Sequence, residues 1–369
     1  MLEKVINKFN IPGELLEIQV NTSGNINNTY VAKIRTKENK IKKYLIQKIN
    51  TNVFTDPYKL MSNIENVTNY LKIKMKGEND TTHQILETIK TKDGKNLCCV
   101  ENNYYRIYQY IDNSIVYDNS IDTKIIYNAG KAFGNFARLL IDYPITELYE
   151  TIPNFHNTEM YYQKLLADIK IASPERVQEV TKELDFIIMH KRYYSLITNK
   201  LGTKDLPYRV IHNDAKINNV MMNKKTTEYL AVIDLDTVMP GSILFDYGDG
   251  IRSAASTTSE NEQDLTKIKF DLDSFKAYTD GYLSEMTPYI TTEELSLMGE
   301  SIRIITLELA IRFLDDYINN DIYFKINYEK HNLNRAKNQL TLVTDIENKI
   351  SIINNYIIES YNKSKDIKR

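Results

Sequence analysis

Apolar and polar residues alternate over short stretches in roughly the first 100 positions of the chain. Asn, Gly and Asp interrupt this alternation, as turn residues do between strands. The predicted strands have the sequences LLEIQVNTSG, NNTYVAKIR, KKYLIQKIN, LCCVENN and YYRIYQYI. A helical repeat runs from Asp56 to about Lys74. The pattern therefore predicts an antiparallel sheet with one helix.

The pattern changes to a helical period from Asp122 onward. The predicted helices are TKIIYNAGKAFGNFARLL, NTEMYYQKLLADI, PERVQEVTKELDFIIMHKRYYSLI, TTEELSLMGESIRIITLELAIRFLDDYI and a terminal helix from about Asn332. Pro174 lies early in its segment, where a helix tolerates proline. The change falls between Ile111 and Asp122, and no Pro- or Gly-rich linker marks it. We therefore expect two lobes, residues 1–111 and 112–369, that work as one unit around a cleft.

Composition and charge restrict the classes of partner. The chain has 47 Lys and Arg against 49 Asp and Glu, so no overall basic field exists to attract nucleic acid. Charged residues interrupt the N-terminal stretch, which lacks the apolar core of a signal peptide. No segment approaches the roughly 18 consecutive apolar residues of a membrane span. We expect a cytoplasmic protein without a nucleic-acid or membrane partner.

One polar loop carries the strongest chemical signal. His212, Asp214 and Asn219 form the spacing H-x-D-x-x-x-x-N after an apolar run, and Asp234 ends a second apolar run. Phosphoryl transfer requires a carboxylate that orients and deprotonates the attacking hydroxyl, and oxygen ligands that hold Mg²⁺ on the phosphates. Asp214 suits the first role, and Asn219 with Asp234 suits the second. A single acidic residue at a strand end is more often a turn former, but the full set in this order favours catalysis.

A metallohydrolase is the alternative chemical interpretation, since His212, Asp214, Asp234 and Asp236 could gather around zinc or manganese. That set contains a single histidine, and Asn219 is the next well-placed group. Such donors resemble a magnesium site for nucleotide phosphates more than a hydrolytic metal site. We expect His212 to be structural and to orient the loop through a hydrogen bond.

A turn between two predicted strands offers a phosphate contact. Ser23, Gly24 and Asn25 form this turn, and small polar residues let backbone N–H groups approach phosphate oxygens. A simple hairpin needs the same residues. The turn supports a phosphate site only in combination with the acidic residues downstream.

A lysine and a glutamate predict a charge clamp. Lys48 lies late in a predicted strand, and Glu65 follows 17 residues later in the predicted helix. A lysine that reaches the α- and β-phosphates and is held by a helix glutamate recurs in kinases. Because neighbouring strand residues face opposite sides, only one of Gln47 and Lys48 can enter the cleft. We predict Lys48, and the alternative is a solvated lysine on the strand.

At this point the sequence resembles the aminoglycoside phosphotransferase/choline kinase superfamily, and within it the N-acetylhexosamine 1-kinases. The matching segments are SGNINNTY, LIQKINTNVF, IPNFHNT, VIHNDAKINNVM, VIDLDTVMPGSILFDYGDGIRSAAST and ELAIRFLDDYINNDIYF. The resemblance implies an α+β, protein-kinase-like two-lobed fold with an antiparallel-sheet N-lobe and a mainly helical C-lobe, which binds ATP and Mg²⁺ between the lobes. It also implies an ATP-dependent sugar kinase that phosphorylates the anomeric hydroxyl of an N-acetylhexosamine (GlcNAc or GalNAc).

The resemblance further assigns roles to single residues. It implies Asp214 as the catalytic base, and Asn219 and Asp234 as magnesium ligands. It also implies that Gly24 belongs to a phosphate-covering turn, and that the sugar pocket is lined by Ile26, Arg312 and Tyr323. Relatives tend to have an aromatic residue where this chain has Ser253, at the position that would supply a stacking surface for the sugar.

Other interpretations of these residues stay open. The acceptor could be another sugar, an amino alcohol or an aminoglycoside, or the chain could be an inactive nucleotide-binding protein. The intact catalytic set speaks against inactivity. Arg312 could be a solvated arginine on a helix surface. We interpret Asp246 and Asp249 as a helix cap and a buried partner of the catalytic loop, with Arg252 able to pair with either. Adenine contacts would come from backbone groups near Gln109 to Asp112.

Overall fold

The N-terminal lobe is built on a five-stranded antiparallel sheet with the strand order β1-β2-β3-β5-β4. The protein is described by a computed structural model that covers residues 1–21, 26–118 and 122–367. The strands are β1 (Glu14–Asn21), β2 (Asn28–Arg35), β3 (Ile41–Lys48), β4 (Cys98–Val100) and β5 (Asn103–Gln109). The register places Gln47 of β3 opposite Thr29 of β2 and Arg106 of β5. The predicted antiparallel sheet is confirmed.

Two helices cover this sheet. Asp56 caps α2 (Pro57–Gly77), because its carboxylate accepts hydrogen bonds from the backbone N–H groups of Tyr58 and Lys59 at 3.1 Å. The apolar side of α2 packs into a cluster that also contains Phe136 and Val238 of the second lobe. The other face of the sheet is closed by α1 (Leu2–Ile6). Helix α2 therefore joins the two lobes as well as supporting the sheet.

The C-terminal lobe is mainly helical, as predicted. Its helices are α3 (Thr123–Leu139), α4 (Thr158–Asp168), α5 (Pro174–Glu179), α6 (Thr181–Met189), α7 (Ile243–Ala254), α8 (Leu272–Met286), α9 (Thr292–Ile318) and α10 (His331–Ile367). Its short strands are β6 (Ser114–Ile115), β7 (Arg209–Ile211), β8 (Val220–Asn223), β9 (Tyr229–Val232) and β10 (Met239–Gly241). They form a sheet of order β6-β8-β9 and a pair of β7 with β10. No helix in the described part of the chain is long and apolar enough to cross a bilayer.

One predicted helix is divided. The segment from Pro174 forms two short helices, because Val180 leaves the helical backbone conformation with φ −105° and ψ 14°. Its side chain is fully buried in the cluster that also holds Leu184 and Ile187. The turn at Val180 thus allows the segment to follow the core where a straight helix could not.

A glycine sets the contact between α7 and α9. A Cβ atom on Gly248 would lie 2.6 Å from the carbonyl oxygen of Ser301, which is closer than real Cβ atoms come. The close approach fixes α7 on α9. As a result, the first turn of α7 lies against the loop that follows β7.

Candidate active site

The loop after β7 is held by buried hydrogen bonds. Asp246, in the first turn of α7, accepts from the backbone N–H groups of His212 and Asn213 at 2.7 Å each. The His212 ring lies between the Ile233 carbonyl, 2.8 Å from Nε2, and the Asp214 backbone N–H, which donates to Nδ1 at 3.3 Å. This pattern fits a neutral imidazole that carries its proton on Nε2. The structural role predicted for His212 is confirmed. Asp246 is the buried partner of the catalytic loop, whereas Ser242, and neither Asp246 nor Asp249, caps α7.

Asp214 projects from this loop with its carboxylate held on both oxygens. The Asn219 amide donates to Asp214 Oδ2 at 3.0 Å, and Lys216 Nζ lies 3.0 Å from Oδ1. Burial, which would raise the pKa of Asp214, is outweighed by the positive charge of Lys216 and by hydrogen bonds from Lys216 and Asn219, so the pKa is lowered. The side chain is still 30% exposed. Asp214 is therefore an ionised, oriented carboxylate that a small molecule can reach.

The second acidic loop lies against the first. Thr237 Oγ1 donates to the His212 carbonyl at 2.7 Å, and Asn213 Nδ2 donates to the Thr237 carbonyl at 2.9 Å. Asp234 begins this loop in the left-handed conformation, with φ 60° and ψ 54°. Its enclosed position and the negative charges of Asp236 and Asp214 raise the pKa of Asp234 to about 6. The two loops bring Asp214, Asn219 and Asp234 around one cavity of about 110 Å³.

The oxygen donors around this cavity fit a hard divalent cation. The Asn219 amide nitrogen is used by Asp214, which leaves the amide oxygen for another partner. Asn218 Oδ1, which lines the same cavity, is buried and has no hydrogen-bond partner among the described residues. Amide and carboxylate oxygens are the ligands that Mg²⁺ takes, with the remaining positions filled by water or phosphate. Asn219 and Asp234 could hold such an ion.

The metallohydrolase alternative finds no support in this geometry. Within the described residues, no three His, Cys, Asp or Glu side chains form a metal cluster. Both nitrogens of His212 are used by backbone groups, and Asp236 is paired with Arg106.

A second cavity of about 230 Å³ lies between the lobes. Apolar side chains from both lobes line it, with the backbone that links the lobes along one side: Leu45, Leu86, Tyr108, Gln109, Tyr110, Ile111, Met221 and Ile233. Asn219 and Asp234 belong to both cavities. A flat apolar group could therefore bind between the lobes with a charged tail that reaches the acidic loops.

The predicted Lys48–Glu65 clamp is wrong. Gln47 lines both cavities, whereas Lys48 lies on the opposite face of β3, on the side of Ile46. Ile46 packs into the core closed by α1, and this packing fixes which face of the strand turns to the cleft. Glu65 is engaged by Lys90 and Asn96 instead.

The sequence interpretation missed Arg106 and named Asp236 only as a possible zinc or manganese ligand. Arg106 Nη1 lies 2.6 Å from Asp236 Oδ1, and Nη2 donates to Oδ2 at 2.8 Å. The Arg106 side chain is 1% exposed and the Asp236 side chain 4% exposed. The alternating pattern of YYRIYQYI already gives a charged residue within an apolar strand, a signal that Arg106 needs a buried partner.

Lys216 was also missed. Among the described residues it is the only cationic side chain that lines the smaller cavity. The negative charges of Asp214, Glu260 and Asp249 raise the pKa of Lys216 and outweigh its burial. It therefore stays charged beside Asp214. Its place two residues after Asp214 was the available signal.

The predicted phosphate turn lies mostly outside the described residues. This applies to Ser23, Gly24 and Asn25. Ile26, which follows them, is 43% exposed and lines the same cavity as Asp214. Asn27 Nδ2 donates to Asp236 Oδ2 at 2.6 Å. The end of the turn is thus fastened to the second acidic loop.

Arg312 of α9 lies among aromatic rings. Its guanidinium carbon is 5.2 to 5.9 Å from the ring centres of Phe155, Tyr161, Tyr323 and Phe324. Glu308, one helical turn earlier, is engaged by His156 and Thr158 at 2.8 and 2.7 Å. Arg312 therefore has no ion pair in the described ranges, and it is not the solvated helix-surface arginine of the alternative interpretation.

A short chain of contacts connects Arg312 to the catalytic loop. Phe155 contacts Arg312, and its neighbour His156 has Nε2 3.2 Å from the carbonyl oxygen of Asn213. Burial, which lowers the pKa of His156, is outweighed by Glu308, so the pKa is raised. A protonated His156 donates to that carbonyl. The aromatic cluster at Arg312 and Asp214 therefore belong to one continuous region.

Tyr323 is presented at the edge of this region. Asp316 accepts from the backbone N–H groups of Tyr323 and Phe324 at 2.7 and 2.9 Å, and the Tyr323 side chain stays largely exposed at 53%. Ser253 lies elsewhere in the site, where its hydroxyl accepts from the backbone N–H of Ile217 at 3.4 Å. Arg252 pairs with Asp249 at 2.8 Å, so of these two aspartates Asp246 is the one that bonds the catalytic loop.

Comparison with known proteins adds a family and a fold. The family model described as the phosphotransferase enzyme family matches residues 82–282, more than half of the chain. An aminoglycoside phosphotransferase from Alicyclobacillus acidocaldarius aligns with 95% of this chain and 96% of its own, at 9% identity and a TM-score of 0.59. Spectinomycin phosphotransferase, solved with ADP and spectinomycin, aligns at 12% identity and 0.57 over 92% and 94%. A microcompartment-associated aminopropanol kinase aligns at 12% identity and 0.57 over 96% and 98%. At these identities the likeness shows the fold, and the predicted protein-kinase-like architecture is confirmed.

Proposed function

The chain belongs to the phosphotransferase enzyme family, and from this premise we propose that it is an ATP-dependent sugar kinase. The proposed reaction transfers the γ-phosphoryl group of ATP to the anomeric hydroxyl of an N-acetylhexosamine, GlcNAc or GalNAc, and gives the 1-phosphate. One observation carries the phosphotransfer part. Asp214, Asn219 and Asp234 surround a single cavity that opens into the cleft between the lobes.

Each group at this cavity has a task in the proposed reaction. ATP lies in the larger cavity, with adenine against the backbone near Gln109. Asp214 accepts the proton of the attacking sugar hydroxyl. Proton transfer to a positioned base typically accelerates a reaction by about 10²–10⁴-fold. Asn219 and Asp234 hold Mg²⁺, which supplies charge neutralisation at the phosphates. Lys216 adds a positive charge beside Asp214, where negative charge develops on the transferring group.

The surroundings of Arg312 support a neutral acceptor. A guanidinium without an ion pair repels the ammonium groups of amino alcohols and aminoglycosides. It also offers several N–H donors in a fixed plane, which suits the hydroxyl and acetamido oxygens of a sugar. The rings around it, among them the exposed Tyr323, supply apolar surface for a sugar face. Since Ser253 offers none, we assign stacking to this cluster.

A panel of acceptors tests the proposal. Purified protein with ATP and Mg²⁺ is given GlcNAc, GalNAc, glucosamine, glucose, ethanolamine, choline and an aminoglycoside, and ADP release is followed. We expect the highest kcat/KM with an acetylated hexosamine. Turnover restricted to a cationic acceptor would replace the sugar assignment and keep the kinase. ADP release with none of these compounds above the rate in water would count against the kinase itself.

Arg312→Ala should lower kcat/KM for the sugar and leave ATP affinity close to wild type. Loss of one or two hydrogen bonds from a charged donor costs roughly 1.5–3 kcal/mol each, or about tenfold to several-hundredfold in kcat/KM. Steady-state kinetics with each substrate varied in turn measure the effect. Arg176→Ala is a matched control, because Arg176 is an arginine over the ring of Tyr317 in the same lobe, 4.6 Å from its centre. An unchanged sugar kcat/KM in folded Arg312→Ala protein would contradict the sugar-pocket assignment.

The faces of β3 give a narrower prediction. Lys48→Ala should change the apparent KM for ATP by no more than about twofold, since Lys48 faces away from both cavities. Gln47→Ala should raise that KM, because Gln47 bridges Thr29 and Arg106 at the cleft. Initial-rate kinetics with ATP varied compare the two variants. A large effect of Lys48→Ala with a silent Gln47→Ala would restore the lysine clamp.

A further inference from the structure

Asp236 is a meeting point of the two lobes. Its Oδ2 accepts from Arg106 Nη2 at 2.8 Å and from Asn27 Nδ2 at 2.6 Å, and its Oδ1 lies 2.6 Å from Arg106 Nη1 in the same ion pair. Arg106 belongs to β5 of the N-terminal sheet, and Asn27 ends the turn between β1 and β2. Asp236 itself belongs to the second acidic loop, two residues after Asp234. Three elements on opposite sides of the cleft thus converge on one buried side chain.

All three nitrogens of the Arg106 guanidinium donate to protein acceptors. Nε donates to Gln47 Oε1 at 2.9 Å, and Nη2 to Gln47 Oε1 and Asp236 Oδ2, each at 2.8 Å. Nη1 faces Asp236 Oδ1 at 2.6 Å and Met61 Sδ at 3.8 Å. Nε, Nη2 and Nη1 therefore each donate to a protein acceptor. Arg106 borders the larger cavity with these donors turned to protein groups, so its charge acts through Asp236.

Displacement of Asp236 would displace the second acidic loop, which we call the metal loop because it begins at the proposed metal ligand Asp234. Residues 235–237 form a single tight helical turn directly after Asp234, so a shift of Asp236 moves the Asp234 carboxylate with it. The same carboxylate anchors Asn27, whose Oδ1 accepts from the backbone N–H of Asn50 at 3.0 Å. The link joins the metal loop to Asn27, directly before β2, and to Asn50, shortly after β3.

We propose that Arg106 and Asp236 are positioning residues that hold the metal loop in register with β5 and with Asn27 directly before β2, so that the Asp234 carboxylate keeps the position in which it meets the nucleotide–metal complex. The inference rests on the proposed function. Partners behind metal ligands have this effect elsewhere, and their loss costs about 10- to 100-fold in metal affinity or activity. Removal of both charges of a buried ion pair is often neutral for stability. A positioning role therefore shows as a raised Mg²⁺ requirement in a double variant whose melting temperature is recovered.

Neutral replacement of both partners tests the proposal. Arg106→Met and Asp236→Asn each leave a buried charged partner unpaired and should lower the melting temperature, whereas the double variant removes both charges and should recover it. All three should need about 10- to 100-fold more Mg²⁺ for half-maximal binding of a fluorescent trinitrophenyl-ATP. Arg106→Lys, which keeps the charge and loses the fork, should fall between wild type and Arg106→Met. It remains informative where the Met variant does not fold.

A second buried pair is the matched control. Arg209 Nε and Nη2 bind the Glu294 carboxylate at 2.8 and 3.0 Å, away from the cleft. Arg209→Met/Glu294→Gln should change the melting temperature and leave the Mg²⁺ requirement at the wild-type value.

Three results would overturn the proposal. The double variant could recover its melting temperature together with the wild-type Mg²⁺ requirement, and the pair would then be structural only. Asp236→Asn could raise that requirement while Arg106→Met leaves it unchanged, and Asp236 would then be a metal ligand. The control pair could shift the requirement as strongly as the Arg106 variants. The assay contains no acceptor, so failure of the sugar-kinase assignment appears separately, as absent transfer by wild-type protein that still binds the nucleotide.

Discussion

Asp214→Asn should lose nearly all phosphoryl transfer while its nucleotide affinity stays at the wild-type value. The carboxylate acts on the acceptor hydroxyl, and an amide cannot take the proton. Loss of a positioned base lowers kcat by about 10²–10⁴-fold. The hydrogen bond from Asn219 at 3.0 Å can persist with the amide oxygen of Asn, so the loop should keep its shape. Acceptor-dependent ADP release measures kcat, and trinitrophenyl-ATP binding measures affinity.

A control variant separates catalysis from folding. Asp345 of α10 has a comparable local role, because its carboxylate accepts from the Phe270 backbone N–H and from Lys349 at 2.6 and 2.7 Å. Asp345→Asn should keep the wild-type kcat. Wild-type turnover in Asp214→Asn protein would remove this residue from the mechanism.

Asp234→Ala should weaken Mg²⁺-dependent nucleotide binding and turnover together. The substitution removes one of two proposed metal ligands and leaves the Asn219 amide oxygen. Since phosphoryl transfer depends on metal neutralisation of the phosphates, we expect a loss in kcat at least as large as for Asp214→Asn. Titration of Mg²⁺ against a fixed nucleotide concentration measures the effect.

The two acidic variants should differ in one respect. Asp234→Ala raises the Mg²⁺ requirement, and Asp214→Asn does not. A metal titration of Asp234→Ala that overlays the wild-type curve would show that the metal ligand lies elsewhere.

Local spacing accounts for what the sequence predicted well. Asp214 and Asn219 are five residues apart on one loop, so their hydrogen bond needs no knowledge of the rest of the fold. The alternation of apolar residues likewise predicts β2, β3 and β5, because a half-buried strand has a period of two. The prediction of Arg312 as a sugar-pocket residue came from family resemblance. The local sequence could not supply it, because only tertiary packing brings Phe155 and Tyr323 to Arg312.

Long-range pairing accounts for what the sequence could not predict. The alternation along β3 is the same whichever face meets the cleft, and contacts of Ile46 with α1 decide between Gln47 and Lys48. Arg106 and Asp236 are 130 positions apart, and a single sequence holds no signal that joins them. The identity of a buried partner depends on the fold that encloses it.

The central claim is transfer of a phosphoryl group from ATP to the hydroxyl of a small neutral acceptor, with Asp214 as the base. Phosphorus NMR of wild-type protein with ATP, Mg²⁺ and GlcNAc or GalNAc tests it most directly. We predict a new phosphomonoester signal coupled to the anomeric proton, which grows in step with ADP and is absent with Asp214→Asn. Protein that binds the nucleotide but forms no phosphomonoester with these sugars or with any acceptor of the panel would contradict the account.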